Sequence, residues 1–144
     1  MYKNIVVTLD GTATDRAIIE HLKPLALLMR SELVLLHVAD GWAARMFGAD
    51  AVSAEVSEDQ AYLEKVRSEF QAVGIPTTVE LAYGVPGDEI LKWVAGRPCD
   101  LIAMSSHGHK LVGDIIHGST IEKVRHNTPV PLLVVGAAKR GPVV

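Results

Sequence analysis

Cysteine, aromatic residues and net charge are all scarce in this sequence. One cysteine, Cys99, stands among 144 residues, so no disulfide can close within the chain. Aromatic residues make up 5%, so the core is expected to be aliphatic, built from Val, Leu, Ile and Ala. Fourteen basic and seventeen acidic side chains leave a formal charge of −3, too little positive field to attract nucleic acid or an anionic membrane. No apolar run approaches the roughly 18 residues a membrane-spanning helix needs. Met1-Tyr2-Lys3 leads straight into an apolar segment with no charged-then-apolar leader, and with the lone cysteine this points to the cytoplasm.

What the sequence has is ordinary globular composition, 49% apolar and 22% charged. Its length is that of a single domain, expected to span residues 1–144 with a loose tail from about 137. Short apolar segments rich in β-branched residues read as buried strands at Asn4–Leu9, Glu32–Val38, Thr77–Ala82, Asp100–Ser105 and Pro131–Val135. Helices are expected between them. Ala17, Ile18, His21, Leu22, Leu25, Leu28 and Met29 recur at spacings of three and four, with Thr12 or Thr14 as cap and a kink or break at Pro24. Ser57 and Gln60 match a capping box that opens a second helix, ending near Ala72 before Gly74. Pro86-Gly87-Asp88 opens a third, through Trp93 to Gly96, and Gly118-Ser119 a fourth, to Asn127. The stretch Asp40–Val56, with Trp42, Met46 and Phe47, fits no clear period. Strands alternating with helices imply a parallel sheet covered on both faces, a doubly wound α/β fold.

In such a fold ligands bind beyond the carboxyl ends of the strands, where the winding direction reverses. Two strand ends carry suitable chemistry. One is Thr8-Leu9-Asp10-Gly11-Thr12. The other opens a long segment from Ser105 to Gly118 that contains Gly108 and Gly113 and ends at Gly118-Ser119-Thr120, on a helix N-terminus. Small residues let main-chain amides approach a bulky anion, and a helix N-terminus favours phosphate. The plain alternative is a long loop ending in an ordinary serine cap.

Around these residues the chain resembles the universal stress protein family, in its nucleotide-binding branch. The family motif is Gly, two residues, Gly, nine residues, Gly, then Ser or Thr. Here Ser105-Ser106-His107-Gly108, the nine residues His109–His117, and Gly118-Ser119 match its spacing, with Ser105 in place of the first glycine. The strand opening IVVTLDGT, His37-Val38, Tyr83-Gly84-Val85-Pro86 and the closing Pro129-Val130-Pro131-Leu132-Leu133-Val134-Val135 extend the resemblance over the whole chain. It implies a Rossmann-like sheet of five parallel strands in the order 3-2-1-4-5. It implies ATP, AMP or another adenine nucleotide as ligand, with Mg²⁺ on the phosphates. Asp10 then matches the acid facing the adenine, Thr8 a position beside base and ribose, and Val38 the residue whose main chain bonds the adenine edge. Met104 and Ser105 lie beside the ribose, and Gly108, His109, Gly118, Ser119 and Thr120 match the phosphate cradle. The resemblance also implies a homodimer through the last strand, with Val130, Leu132, Leu133, Val134 and Val135 as the apolar edge.

Other readings of the same residues stay open. Ser105 either blocks the ribose or offers it a new hydrogen bond. If it blocks, the chain is an interaction module that binds no ATP. Thr8-Leu9-Asp10-Gly11-Thr12 is similar to the Asp-x-Asp-Gly-Thr signature of haloacid-dehalogenase-type phosphatases, but Thr8 replaces the nucleophilic aspartate. No nucleophile stands beside an evident base, so no catalytic residue is assigned and any ATP hydrolysis is expected to be slow. His107, His109, His117 and His126 fall within twenty residues, yet their scatter gives no metal-ligand spacing, and no metal ligand is assigned.

Overall fold

Successive side chains of a strand point to opposite faces of its sheet, and here both faces are apolar. Ile5, Val7, Leu33, Leu35, Leu101 and Ala103 belong to one buried cluster, and Val6, Leu36, Val38, Ile102 and Met104 to another. Strands of this composition need a helical layer on each side. The computed structural model, which describes residues 1–39, 49–106 and 118–136, has that arrangement. In chain order the elements are β1 (Asn4–Thr8), α1 (Asp15–Met29), β2 (Glu32–Ala39), α2 (Ala49–Ala72), β3 (Thr77–Tyr83), α3 (Pro86–Ala95), β4 (Leu101–Ser106), α4 (Gly118–Asn127) and β5 (Leu132–Gly136). All pairings are parallel and the strand order is β3-β2-β1-β4-β5.

The first cluster is closed by α1 and α2. Ile18, Ile19, Leu22 and Ala26 of α1 and Leu63, Val66 and Phe70 of α2 pack on the sheet. The second is closed by Ile90 and Val94 of α3 and Val124 of α4. The helix pairs α1/α2 and α3/α4 therefore lie on opposite faces, as right-handed crossovers require when the chain first adds strands on one side and then on the other. Among the described residues no helix is long and apolar enough to cross a membrane.

Two local expectations need correction, and of the kink or break expected at Pro24 the break does not occur. Pro24 sits inside α1, which runs unbroken from Asp15 to Met29. Pro24 is exposed, and so is Glu20, whose carbonyl loses its usual helical partner, so solvent can serve that carbonyl. Neither Thr12 nor Thr14 caps α1: Thr14 makes no capping hydrogen bond, and the two hydroxyls bond each other at 2.6 Å. Ser57 does not open the second helix, because α2 already begins at Ala49. The run Ala49–Val56 contains three alanines and a glutamate, good helix formers that carry the helix through the apparent cap. Trp42, Met46, Phe47 and the tail from 137 lie outside the described residues.

Phe70 is fully buried between α2 and the sheet. Phe70→Ala is expected to lower unfolding free energy by about 3–5 kcal/mol, measured by urea titration. A loss below about 1 kcal/mol would show that α2 does not pack as described.

Candidate functional site

The carboxyl ends of β1, β2 and β4 and the N-terminus of α4 share one pole of the sheet, because α4 carries the chain from the end of β4 to the start of β5. Two side-chain hydrogen bonds hold these strand tips in register. Thr8 Oγ1 donates to the Ala103 carbonyl at 3.4 Å, tying β1 to β4. His37 Nδ1 lies 2.8 Å from the Leu9 carbonyl, tying β2 to the end of β1, and against a carbonyl that nitrogen must carry the proton. The other ring nitrogen, Nε2, faces Asp59 Oδ2 of α2 at 3.5 Å. Burial lifts the Asp59 carboxyl above its ordinary value, while the neighbouring His37 pulls it down.

The turn after β1 is built around a residue that the sequence reading passed over. Asp15, the first residue of α1, is completely buried. Its carboxylate accepts from the Asp10 amide at 3.0 Å, from the Gly11 amide at 2.9 Å and from the Tyr62 hydroxyl at 2.6 Å. A buried charge survives only when paired or fully hydrogen-bonded. These three donors, with the positive end of α1, meet that requirement. Burial pushes the Tyr62 phenol well above its ordinary value, and the Asp15 carboxylate adds to the rise, so Tyr62 remains a donor. Gly11 turns with a φ of +82°, a conformation L side chains rarely adopt. Asp15 thus fixes the main chain at Asp10 without taking the place of the Asp10 side chain.

The expected site residues divide by what they expose. Met104 is completely buried against the α3/α4 layer and Val38 nearly so. Thr8 and Thr120 are buried, Asp10 is half-buried and Ser119 is exposed. Ser105 is 5% exposed, and its Oγ has no hydrogen-bond partner among the described residues. Arg30 is the sole non-glycine with positive φ among the described residues, so the serine at the family's glycine position carries no left-handed backbone strain. Gly108 and His109, with His107 and His117, lie outside the described residues. His126 bonds Glu122 at 3.0 Å, away from the strand tips. Among the described residues no three His, Cys, Asp or Glu side chains converge as a metal site.

The helix N-termini differ in charge. Asp15 fills that of α1, and Asp88 and Glu89 stand in the first turn of α3. The first turn of α4 holds no acid. The first amides of a helix have no intrahelical partner, and those of α4, with the positive dipole end, lie at the pole that holds Asp10 and Ser105. Lys123 of α4 pairs with Asp88 of α3, and its stem passes over Gly87, where a side chain would collide with it. That contact joins α3 to α4. Two cavities lined by described residues, of about 270 and 360 Å³, open at the opposite pole, beside Asn4, Glu32 and Thr77 and beside Lys3, Arg30 and Gly74.

This fold is that of a doubly wound α/β protein, a class that generally binds ligands where the winding reverses, here between β1 and β4. The universal stress protein family model matches residues 1–136, and the chain belongs to that family. Universal stress protein MJ0577 of Methanocaldococcus jannaschii is 28% identical over 154 residues, covering 94% of this chain and 95% of the relative. The solved structure of MJ0577 superposes with a TM-score of 0.81 at 29% identity, covering 96% of this chain and 99% of that one. A universal stress protein in complex with cAMP (TM-score 0.69, 18% identity, 95% and 98% coverage) shares the fold. So does one from Archaeoglobus fulgidus in complex with dAMP (0.69, 16%, 94% and 98%).

Asp15→Ala removes the shared acceptor of two amides and a phenol and is expected to cost about 2–4 kcal/mol of stability. Tyr62→Phe, which leaves the carboxylate one donor short, should cost about 1–3 kcal/mol. Chemical denaturation of both variants checks this; an Asp15→Ala protein as stable as wild type would contradict it.

Proposed function

We propose that this protein binds an adenine nucleotide, ATP or a close relative, at the carboxyl pole and acts as a dimeric signalling module in the cytoplasm. The observation that carries the reading is the acid-free N-terminus of α4, opposite Asp10 across the β1/β4 reversal. An anion fits the one end and a hydrogen-bonding base the other. The family membership and the relatives complexed with cAMP and dAMP support the same ligand class. A divalent ion would take its ligands chiefly from phosphate oxygens and water, as Mg²⁺ commonly does.

The chemistry proposed is binding alone. Thr8 donates a hydrogen bond from its hydroxyl to a main-chain carbonyl. His37 is held between a carbonyl and Asp59. Hydrolysis, where it occurs, is slow, and the nucleotide works by stabilising one shape of the pole. The free thiol of Cys99, pushed up in pKa by burial and bonded to the Leu101 carbonyl, fits a reducing compartment.

Calorimetric titration with ATP and Mg²⁺ tests the ligand. Wild type should give saturable heat and a raised melting temperature. Gly118→Val, which puts branched bulk at the start of α4, should weaken binding at least about tenfold, or 1.4 kcal/mol. No heat and no thermal shift at millimolar ATP would leave the second reading, an interaction module whose site Ser105 has closed.

The dimer is proposed through β5, an edge strand whose Val134 is 43% exposed. An unpaired apolar edge invites pairing with a second copy, and a charge there discourages it. Wild type should sediment as a dimer and Val134→Lys as a monomer. A monomeric wild type, or a variant that remains dimeric, would overturn the assignment.

A further inference from the structure

One histidine joins β2, β1 and α2 at the carboxyl pole. His37 Nδ1 lies 2.8 Å from the Leu9 carbonyl, and Nε2 lies 3.5 Å from Asp59 Oδ2. The two side chains are 12% and 21% exposed. Asp59 Oδ2 is itself buried, with no hydrogen-bond partner among the described residues.

This contact needs one more proton than a neutral ring supplies. Nδ1 carries the ring's own proton, because it faces a carbonyl. Nε2 of a neutral imidazole is then a bare acceptor, and it faces a carboxylate oxygen that can only accept. Two acceptors turned on each other away from water both go without a donor. A single added proton removes the conflict, whether it sits on Nε2 as an ion pair or on Oδ2 as a neutral hydrogen bond. Burial favours the proton, since it lifts the Asp59 carboxyl above its ordinary value against the opposing pull of His37.

The charges around the pair are mainly acidic. On α2, Glu58 adjoins Asp59 and adds to its rise. On β1, Asp10 follows the bonded Leu9. On α1, the Asp15 carboxylate is taken up by two main-chain amides and Tyr62, and Arg16 pairs with Glu20 and Glu69. From β3, apolar Leu81 stands level with His37, with Tyr83 two residues on. The α3/α4 layer lies across the sheet.

Asp59 and Tyr62 are three residues apart and share one face of α2. Tyr62 reaches the same turn by a second route, through Asp15 to the Asp10 and Gly11 amides. Among the described residues, those of α2 that pack in the core begin at Tyr62. The first turns of α2, residues 49–59, lie ahead of that hold, and the His37–Asp59 contact ties them to the strand tips.

We infer that one proton shared by His37 and Asp59 latches the start of α2 onto the tips of β1 and β2, and that its loss as the pH rises releases those turns, with Tyr62 as the pivot. A carboxyl raised in the folded chain keeps its proton above the pH at which the unfolded chain loses it. The stability that the latch contributes is therefore present in acid and lost as the pH rises through the folded value. The latch acts whether or not a nucleotide binds, and it makes the surroundings of the Asp10 turn sensitive to pH.

The test uses ligand-free wild type, Asp59→Asn and Asp59→Ala between about pH 5 and about pH 8, the range in which imidazole groups change charge. In wild type, magnetisation transfer between the His37 ring protons and the β protons of residue 59 should be present at the acid end and lost at the basic end. The amide shifts of Asp10 and Gly11 should follow the same midpoint. Asp59→Asn places a permanent N–H donor against Nε2 and should keep the contact throughout. Wild type should melt about 3 °C above Asp59→Ala at the acid end, and the gap should close at the basic end. A wild-type contact that persists at the basic end, or a melting advantage that does not fall with pH, would overturn the inference by showing an ordinary structural contact. Loss of the contact in Asp59→Asn at the same pH as in wild type, or Asp10 and Gly11 amides that ignore the midpoint, would also overturn it.

Discussion

Between β1 and β4 the chain reverses the direction in which it adds strands, so the crossover helices on either side of this pair leave toward opposite faces. The carboxyl ends of these two strands are left without a helix packed between them. What the chain places around that gap determines what the protein can hold. On one side stands Asp10, at the end of a turn fastened to the buried carboxylate of Asp15. On the other stands the first turn of α4, which carries no acid of its own.

The charges at the helix N-termini make sense as a set. A helix dipole is a fixed source of positive potential at its first turn. At α1 that potential stabilises a carboxylate with no exposure to water, and the carboxylate in turn spends its lone pairs on main-chain amides and on Tyr62. At α3 the acids of the first turn include Asp88, which pairs with Lys123 of α4. Only at α4, among these three, does the first turn hold no acid.

Much of this was legible in the residues. The five strands are short, β-branched and buried on both faces, so their apolar runs stand out, and each helix after a Pro-Gly or Gly-Ser opening begins where those residues say. Asp10, Val38 and Gly118 fall at the pole because strand ends and helix starts alternate regularly. The start of α2 was not legible, because Ser57 and Gln60 mimic a cap within a run that helix propensity alone extends to Ala49. Asp15 was hidden for a different reason. An acid in a first helical turn is commonplace on the surface, and nothing in the linear sequence says that this one is buried under Tyr62, forty-seven residues away. The state of Ser105 likewise depends on which face of β4 it occupies and on what stands opposite, which a spacing motif does not encode.

On the function proposed, the carboxyl pole at the β1/β4 reversal, and not the cavities at the amino ends of the strands, receives the nucleotide. Amide chemical shifts of isotope-labelled protein, followed as ATP and Mg²⁺ are added, test this most directly. The account predicts that the largest shifts fall on Asp10, Gly11, Val38, Ser105, Ser119 and Thr120, with Asn4, Glu32 and Thr77 little changed. Shifts concentrated around Asn4, Glu32 and Thr77, with the α4 amides unmoved, would contradict it.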